Sequence, residues 1–304
     1  MFDLIIIGAG PAGMTAGIYA ARRELKTLII GKNLGGQVVW GSEIENYPGF
    51  KSIKSYELVN RMQEQVKNLG VDIKIEGVKN IEKKDEVFTT NTEKDSYQSK
   101  SVIIATGLTP RRLELEEEAK FTGRGVSYCA NCDAPFYKNK TVAVVGGGNS
   151  ALDAAEILSK IAQKVYLIHR RDSFRAFDAL VSEVQERDNI EIITDSQIKK
   201  LEGDTKLERI KIANTQNQEE RSLEVDGLFI EIGRVAQTNW LSDLVNTDEN
   251  DQIKVNRRTE TKTPGLFAAG DVTDNEFKQI TVACGQATTA ALASYQYIQK
   301  LPKN

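Results

Sequence analysis

Leu4-Ile5-Ile6-Ile7-Gly8-Ala9-Gly10-Pro11-Ala12-Gly13 runs from four consecutive aliphatic residues into three glycines at GxGxxG spacing. It reads as a buried strand, a tight turn and a helix from about Pro11 to Arg23. Gly8 permits the turn, Gly10 lets a pyrophosphate approach the backbone, and Gly13 lets helix and strand pack closely. The helix start then presents unpaired N–H groups and a positive dipole end to phosphate. The apolar amino terminus is short, has no basic stretch before it and runs straight into the glycines, which fits a strand and not a signal peptide. The following strand, Thr27 to Ile30, continues into Gly31-Lys32 where an acid for a ribose is expected, so the sequence assigns no ribose contact there.

The same phrase recurs downstream. Thr141 to Val145 lead into Gly146-Gly147-Gly148-Asn149-Ser150-Ala151 and a helix to about Ala162. The next strand, Val165 to Ile168, ends in His169-Arg170-Arg171, with Arg175 four residues on. No acid greets a 2′-hydroxyl, and arginines at that place suit a 2′-phosphate, which points to NADPH. The competing reading of the arginines is a solvated surface cluster. His169 reads as a strand-end residue and not as a general base. Two such phrases in 304 residues, more than one hydrophobic core usually organises, give an α/β protein with two doubly wound, Rossmann-like nucleotide-binding domains. With 40% hydrophobic and 27% charged residues and a net charge of -3, the composition argues against a nucleic-acid surface or a polybasic membrane anchor. No run of 18 apolar residues occurs, so the expectation is a cytoplasmic enzyme.

Just before the second phrase stands Cys129-Ala130-Asn131-Cys132-Asp133. Two thiols spaced CxxC close reversibly into a disulfide, and thiolate formation at such pairs is favoured. Asp133 beside them can handle a proton. A zinc site usually needs four ligands, and beyond this pair only Cys284 and His169 are available. Cys284, in an Ala- and Thr-rich final helix from about Gln279 to Lys300, reads as a packed small side chain. Gly35-Gly36-Gln37 and Glu45-Asn46-Tyr47-Pro48-Gly49 read as turns. Tyr56 to Leu69 has helical apolar spacing, and Val71 to Tyr97 alternates like a small antiparallel sheet. Ser101 to Ile104 form a buried strand ending in Ala105-Thr106-Gly107. Arg111 to Glu118, charged and without apolar period, suits a linker. Glu191 to Leu228 alternates like a meander with a loop at Asn214 to Gln218. Leu228 to Arg234 is a further strand, and Gly265-Leu266-Phe267-Ala268-Ala269-Gly270-Asp271 is a strand ending in an acid.

With these motifs in this order the chain resembles the low-molecular-weight thioredoxin reductases, and also the flavoprotein subunit of alkyl hydroperoxide reductases. The resemblance spans essentially the whole chain. It implies that the NADPH domain, residues 115–241 with the CxxC, is inserted into an FAD domain made of 1–114 and 242–304. The FAD contacts implied are Gly8, Gly10, Pro11, Ala12, Gly13, Gly35, Gly36, Gln37, Asn46, Ala105, Thr106, Gly107, Gly270, Asp271, Lys278, Gln279 and Ile280. Those for NADPH are Gly146, Gly148, Asn149, Ser150, His169, Arg170, Arg171 and Arg175. It further implies that Cys129 is the interchange thiol, that Cys132 lies nearer the flavin, and that Asp133 is the acid or base. Rotation of the insert about its two linkers, a thioredoxin or thioredoxin-like disulfide as partner, and a homodimer complete the implication. Three stretches depart from the pattern: Asn131 for threonine, Ala134-Pro135 for glycine, and Arg234 to Thr238 for a Pro-Asn. Pro135-Phe136 and Lys278-Gln279-Ile280 lean toward the peroxide-reductase flavoprotein, whose extra thioredoxin-like part is here expected on a separate protein. A flavin-dependent dithiol oxidase is the rival reading; those relatives lack the basic cluster that this chain has at Arg170, Arg171 and Arg175.

Overall fold

The computed structural model describes residues 1–40 and 43–302. The chain forms two compact units, Met1–Thr109 with Val235–Asn304, and Pro110–Arg234.

In the first unit, five strands run parallel in the order Asp72–Ile75, Thr27–Leu34, Phe2–Ala9, Ser96–Ile104, Leu266–Ala268. The first strand explains its own composition. Leu4 and Ile6 point into one cluster with the helices Pro11–Ala21, Ser55–Asn68 and Ile280–Lys300. Ile5 and Ile7 point into a second cluster on the opposite face with Leu28, Ile30, Val102 and Ile253. Both faces are covered, so no polar alternation survives. Ala283, Ala287, Ala290 and Ala291 of the last helix are buried in the first of these clusters with Ala12, Ala16 and Ala20 of the first helix, and small side chains of this kind let two helices approach closely.

The stretch Val71 to Tyr97 is not a sheet of its own. Asp72–Ile75 joins the parallel sheet beside Thr27–Leu34. Val78–Lys84 and Val87–Thr92 form a hairpin that pairs antiparallel with the start of Ser96–Ile104. The alternation of residues is the same in both arrangements, and only the partner strand differs.

The second unit holds five parallel strands in the order Val126–Ser127, Gly227–Glu231, Thr141–Gly146, Lys164–Ile168, Ile190–Ile193. The helix Asn149–Ser159 covers one face through Ala151, Leu152 and Ala155. An antiparallel sheet of Ser196–Glu202, Arg209–Asn214 and Glu220–Glu224 covers the other through Ile198, Leu201, Ile210 and Leu223. The Asn214 side chain accepts the N–H groups of Gln216 and Asn217 and so makes the expected loop.

Arg111 to Glu118 lies inside this unit and is no slack connector. Glu118 is 2% exposed; its carboxylate accepts the Glu114 N–H at 3.0 Å and the Tyr128 hydroxyl. A buried carboxylate with donors on both oxygens is a fixed point of the structure.

Candidate functional site

Three groups of residues identified in the sequence take shape, one in the first unit and two in the second.

In the first unit the strand ends converge on the glycines. Gly8 has φ +120°, and a Cβ there would stand 2.0 Å from the Ala105 carbonyl oxygen; Ala105 in turn donates its N–H to Ile7. A Cβ on Gly13 would stand 1.7 Å from the Gly8 carbonyl oxygen. These two positions exclude a side chain because backbone already fills the space. Gly10 is different: a Cβ there would meet nothing nearer than the Gly36 Cα at 3.8 Å. An open cradle, lined by Gly10, Gly35 and Gly36 at the start of an eleven-residue helix, fits the diphosphate of a dinucleotide. Gly35 is tied in by its N–H to the Ala9 carbonyl at 2.8 Å. Gly107 lies close to the Gln37 side chain, and Gly270 packs on Ala12. The Asn46 side chain donates to Gln279 at 3.2 Å, immediately before the helix that opens at Ile280. Thr106 is exposed and Asp271 half-buried.

Lys278 behaves otherwise. Its ammonium donates to the Thr273 carbonyl and the Gln252 side chain, so it braces a loop. Burial pushes its pKa down, while Asp271, Asp248 and Asp274 pull the other way.

One residue here escaped the sequence reading. The Gln286 side chain accepts the Gly270 N–H at 2.9 Å and the Thr273 hydroxyl at 3.1 Å, and so positions the turn that carries Asp271. Seven residues beyond Gln279 is two helical turns, and that spacing was the available signal. Cys284 packs against the Pro11 carbonyl, with Thr15 and Tyr47 as further neighbours. Burial pushes its thiol up, the direction of an inert packed cysteine.

The second glycine turn is built on the same plan. A Cβ on Gly146, φ +154°, would stand 2.2 Å from the Glu231 carbonyl oxygen, and one on Gly147 would stand 2.1 Å from the His169 ring. One on Gly148 would meet no described atom within 4 Å apart from its chain neighbours. The arginine loop closes onto this turn: the Arg175 N–H donates to the Gly147 carbonyl at 2.7 Å, and the Arg171 carbonyl accepts the Asp195 N–H at 3.1 Å. Asn149 accepts the Phe177 N–H at 2.9 Å through its side-chain oxygen, which pins the loop to the helix start, where Ser150 is exposed. The phosphate turn and the loop that carries the arginines are thus joined through the main chain. His169 is buried, stacks on Phe174 with ring centres 5.5 Å apart, and leaves Nε2 without a hydrogen-bond partner among the described residues. Burial pushes its pKa down, a main-chain hydrogen bond at Ser173 raises it, and Arg171, Arg170 and Arg175 lower it further. It is a neutral ring under the turn.

Cys129 and Cys132 are joined in a disulfide with Cα atoms 5.4 Å apart. Cys129 is extended and caps the short helix Ala130–Asp133; its sulfur accepts the Cys132 N–H at 3.2 Å. Ser127 holds Cys129 from behind, accepting its N–H at 3.1 Å and donating to its carbonyl at 3.3 Å. Ala130 and Ala134 are buried in the cluster under the helix Asn149–Ser159. Tyr137 packs edge-on against Phe229, 5.1 Å between centres, over the space left by Gly227. Pro135 falls in the first turn of the 3-10 helix Ala134–Tyr137, where a missing N–H costs nothing, so the Ala134-Pro135 departure is accommodated. Cys132 and Asn131 are exposed, and Cys129 and Asp133 half-buried.

The pyridine nucleotide-disulphide oxidoreductase family matches residues 2–287. A thioredoxin reductase of Mycolicibacterium smegmatis is 38% identical over 97% of this chain and 96% of that protein. The chain belongs to the thioredoxin reductases of this family. A crystal structure of Lactococcus lactis thioredoxin reductase superimposes with a TM-score of 0.90 at 39% identity, covering 99% of this chain and 100% of that one. The bifunctional thioredoxin reductase/thioredoxin of Mycobacterium leprae is 37% identical over 97% of this chain and 66% of that longer protein. In both solved relative and present chain the α/β architecture is the same, and the family's FAD and NADPH have turns that fit them.

Proposed function

We propose that the chain reduces the disulfide of thioredoxin with electrons from NADPH, relayed through FAD and the Cys129–Cys132 disulfide. The observation that carries this reading is a closed CxxC disulfide in the same unit as a glycine turn onto which an arginine loop is bonded. FAD, when bound, supplies the two-electron acceptor for hydride that no side chain can provide. Gly10, Gly35, Gly36 and the start of the helix Pro11–Ala21 would hold its diphosphate. Gly148, Ser150 and the arginine loop would hold NADPH, with Arg170 and Arg175 at the 2′-phosphate.

Reduction of the disulfide takes up two electrons and two protons and leaves two thiols. The Cys129 sulfur receives the Cys132 N–H, which stabilises a thiolate there. That thiolate attacks one sulfur of the partner disulfide, forming a mixed disulfide and releasing the partner's other sulfur as a thiolate. Cys132 then attacks the Cys129 sulfur, which frees the partner as a dithiol and restores the internal bond. Asp133, on the same short helix, takes and returns the proton of the attacking thiol. Greater exposure of Cys132 argues for the opposite order of the cysteines, and trapping separates the two orders, as described below. Homodimeric assembly and a cytoplasmic setting belong to this reading and rest on the family.

The test is NADPH oxidation by the purified yellow protein, measured with thioredoxin and with a glutaredoxin-like protein in parallel. Absence of NADPH-dependent thioredoxin reduction overturns the proposal. Arg170→Ala and Arg175→Ala are each expected to raise the KM for NADPH about tenfold, since a charge-assisted bond to phosphate contributes roughly 1.5–3 kcal/mol. The KM for NADH should hardly change. Equal efficiency of the parent with both coenzymes would contradict the 2′-phosphate assignment.

A further inference from the structure

Glu231 ends the strand Gly227–Glu231 in register with Gly146, and its carbonyl closes the space beneath that glycine. Its side chain has a definite side. Leu228 and Ile230 pack into the cluster with the antiparallel sheet, whereas Phe229 packs with Ala151, Leu152 and Ala155 of the helix Asn149–Ser159. Period two therefore turns Glu231 toward that helix, at the sheet end from which the phosphate turn springs. Asp153 faces it from the helix and Arg234 from the short strand Arg234–Val235 that follows the turn. The adjoining strands Val126–Ser127 and Thr141–Gly146 bring no charge. Glu156, further along the helix, is held by Lys160 and Arg187.

With both carboxyls ionised, Glu231 and Asp153 outweigh the one arginine that faces Glu231, Arg234, beside an anion-binding turn, and a neutral Glu231 removes that excess of negative charge. We propose that Glu231 is a protonation gate on the dinucleotide site: as a neutral acid it admits the diphosphate–nicotinamide half of NADPH, and as a carboxylate it repels it. Burial pushes the Glu231 carboxyl up to about 7, Arg234 opposes this, and Asp153 adds to it. Asp153 is itself raised by burial, Glu156 and Glu183. The sign follows. A ligand that prefers the protonated form binds most tightly below the pKa, loses affinity as pH rises through it, and takes up a proton on binding. The gate lies between neutral and mildly alkaline pH.

The inference rests on NADPH occupying the second glycine turn, and calorimetry of NADP⁺ binding to the purified flavoprotein separates the two. Between about pH 7 and about pH 9 the 2′-phosphate is already fully ionised, His169 is already neutral, and the oxidised cysteines do not titrate. The Kd of the parent is expected to rise roughly tenfold or more across that range, with proton uptake seen as a dependence of the heat on buffer ionisation enthalpy. Glu231→Gln, which keeps shape and a hydrogen-bond donor, should bind at about pH 9 as tightly as the parent does below the gate, with no proton uptake. A flat parent profile, a Kd that falls with pH, or a Gln variant as steep as the parent overturns the gate and leaves the NADPH reading standing. No binding at any pH overturns the NADPH reading and the gate with it.

Discussion

Cys129→Ser and Cys132→Ser are each expected to abolish turnover of a thioredoxin disulfide, to the level of uncatalysed exchange, while both proteins retain bound flavin and are still bleached by NADPH. The cysteines and Ser127 lie in the second unit, and the Gly10 cradle lies in the first, so removing a sulfur leaves the flavin cradle untouched. Serine is close in size to cysteine, and the hydroxyl at position 129 can still accept the Cys132 N–H that caps the helix Ala130–Asp133. Normal disulfide turnover in either variant would refute the CxxC centre. The same pair of proteins orders the sulfurs. If Cys129 attacks, Cys132→Ser forms a stable mixed disulfide with a thioredoxin that lacks its resolving cysteine and carries its remaining sulfur as a disulfide with thionitrobenzoate, which leaves as the thiolate; the product is visible on a non-reducing gel. Trapping on Cys132 in the Cys129→Ser protein reverses the roles and matches the greater exposure of Cys132.

The second large effect separates folding from cofactor binding at two glycines three residues apart. Gly13→Ala drives a Cβ to 1.7 Å from a backbone carbonyl oxygen. No side-chain rotation relieves that contact, so helix and strand must move apart, at about 3 kcal/mol or more, or a fall in Tm of roughly 6 °C or more. Gly10→Ala meets nothing nearer than 3.8 Å, and Gly10 has φ -83° and ψ -174°, extended backbone that alanine adopts. It should fold with a Tm within about 2 °C of the flavin-free parent, yet purify colourless, because the methyl group occupies the place of the diphosphate. A yellow Gly10→Ala protein with normal flavin content would show that the dinucleotide does not lie against Gly10.

Both glycine turns and the CxxC were legible in the sequence because their physics is local. A residue with φ near +120°, a helix start and two thiols three positions apart are each specified within a few residues of chain. The aliphatic run of the first strand likewise announced burial on both faces. Elements whose meaning depends on a distant partner were misread or missed. Arg111 to Glu118 looked like a linker because its charges carry no period; the Tyr128 hydroxyl and the Glu114 N–H make Glu118 a buried anchor. Val71 to Tyr97 alternates as any half-buried sheet does, and its attachment to Thr27–Leu34 and Ser96–Ile104 is a matter of strand pairing across the fold.

The site divides along the same line. The residue types and spacing of Gly8 to Gly13, Gly146 to Ala151, the arginines and the cysteines were determined by the sequence alone. Only the tertiary structure decided that Asn149 pins the arginine loop, that Lys278 braces a loop carbonyl, and that Gln286 orients the turn before Asp271. It alone decided, too, that Glu231 stands beside the second phosphate turn, because parallel register joins Gly146 to a residue on a strand far along the chain, and no local pattern records which strands become neighbours.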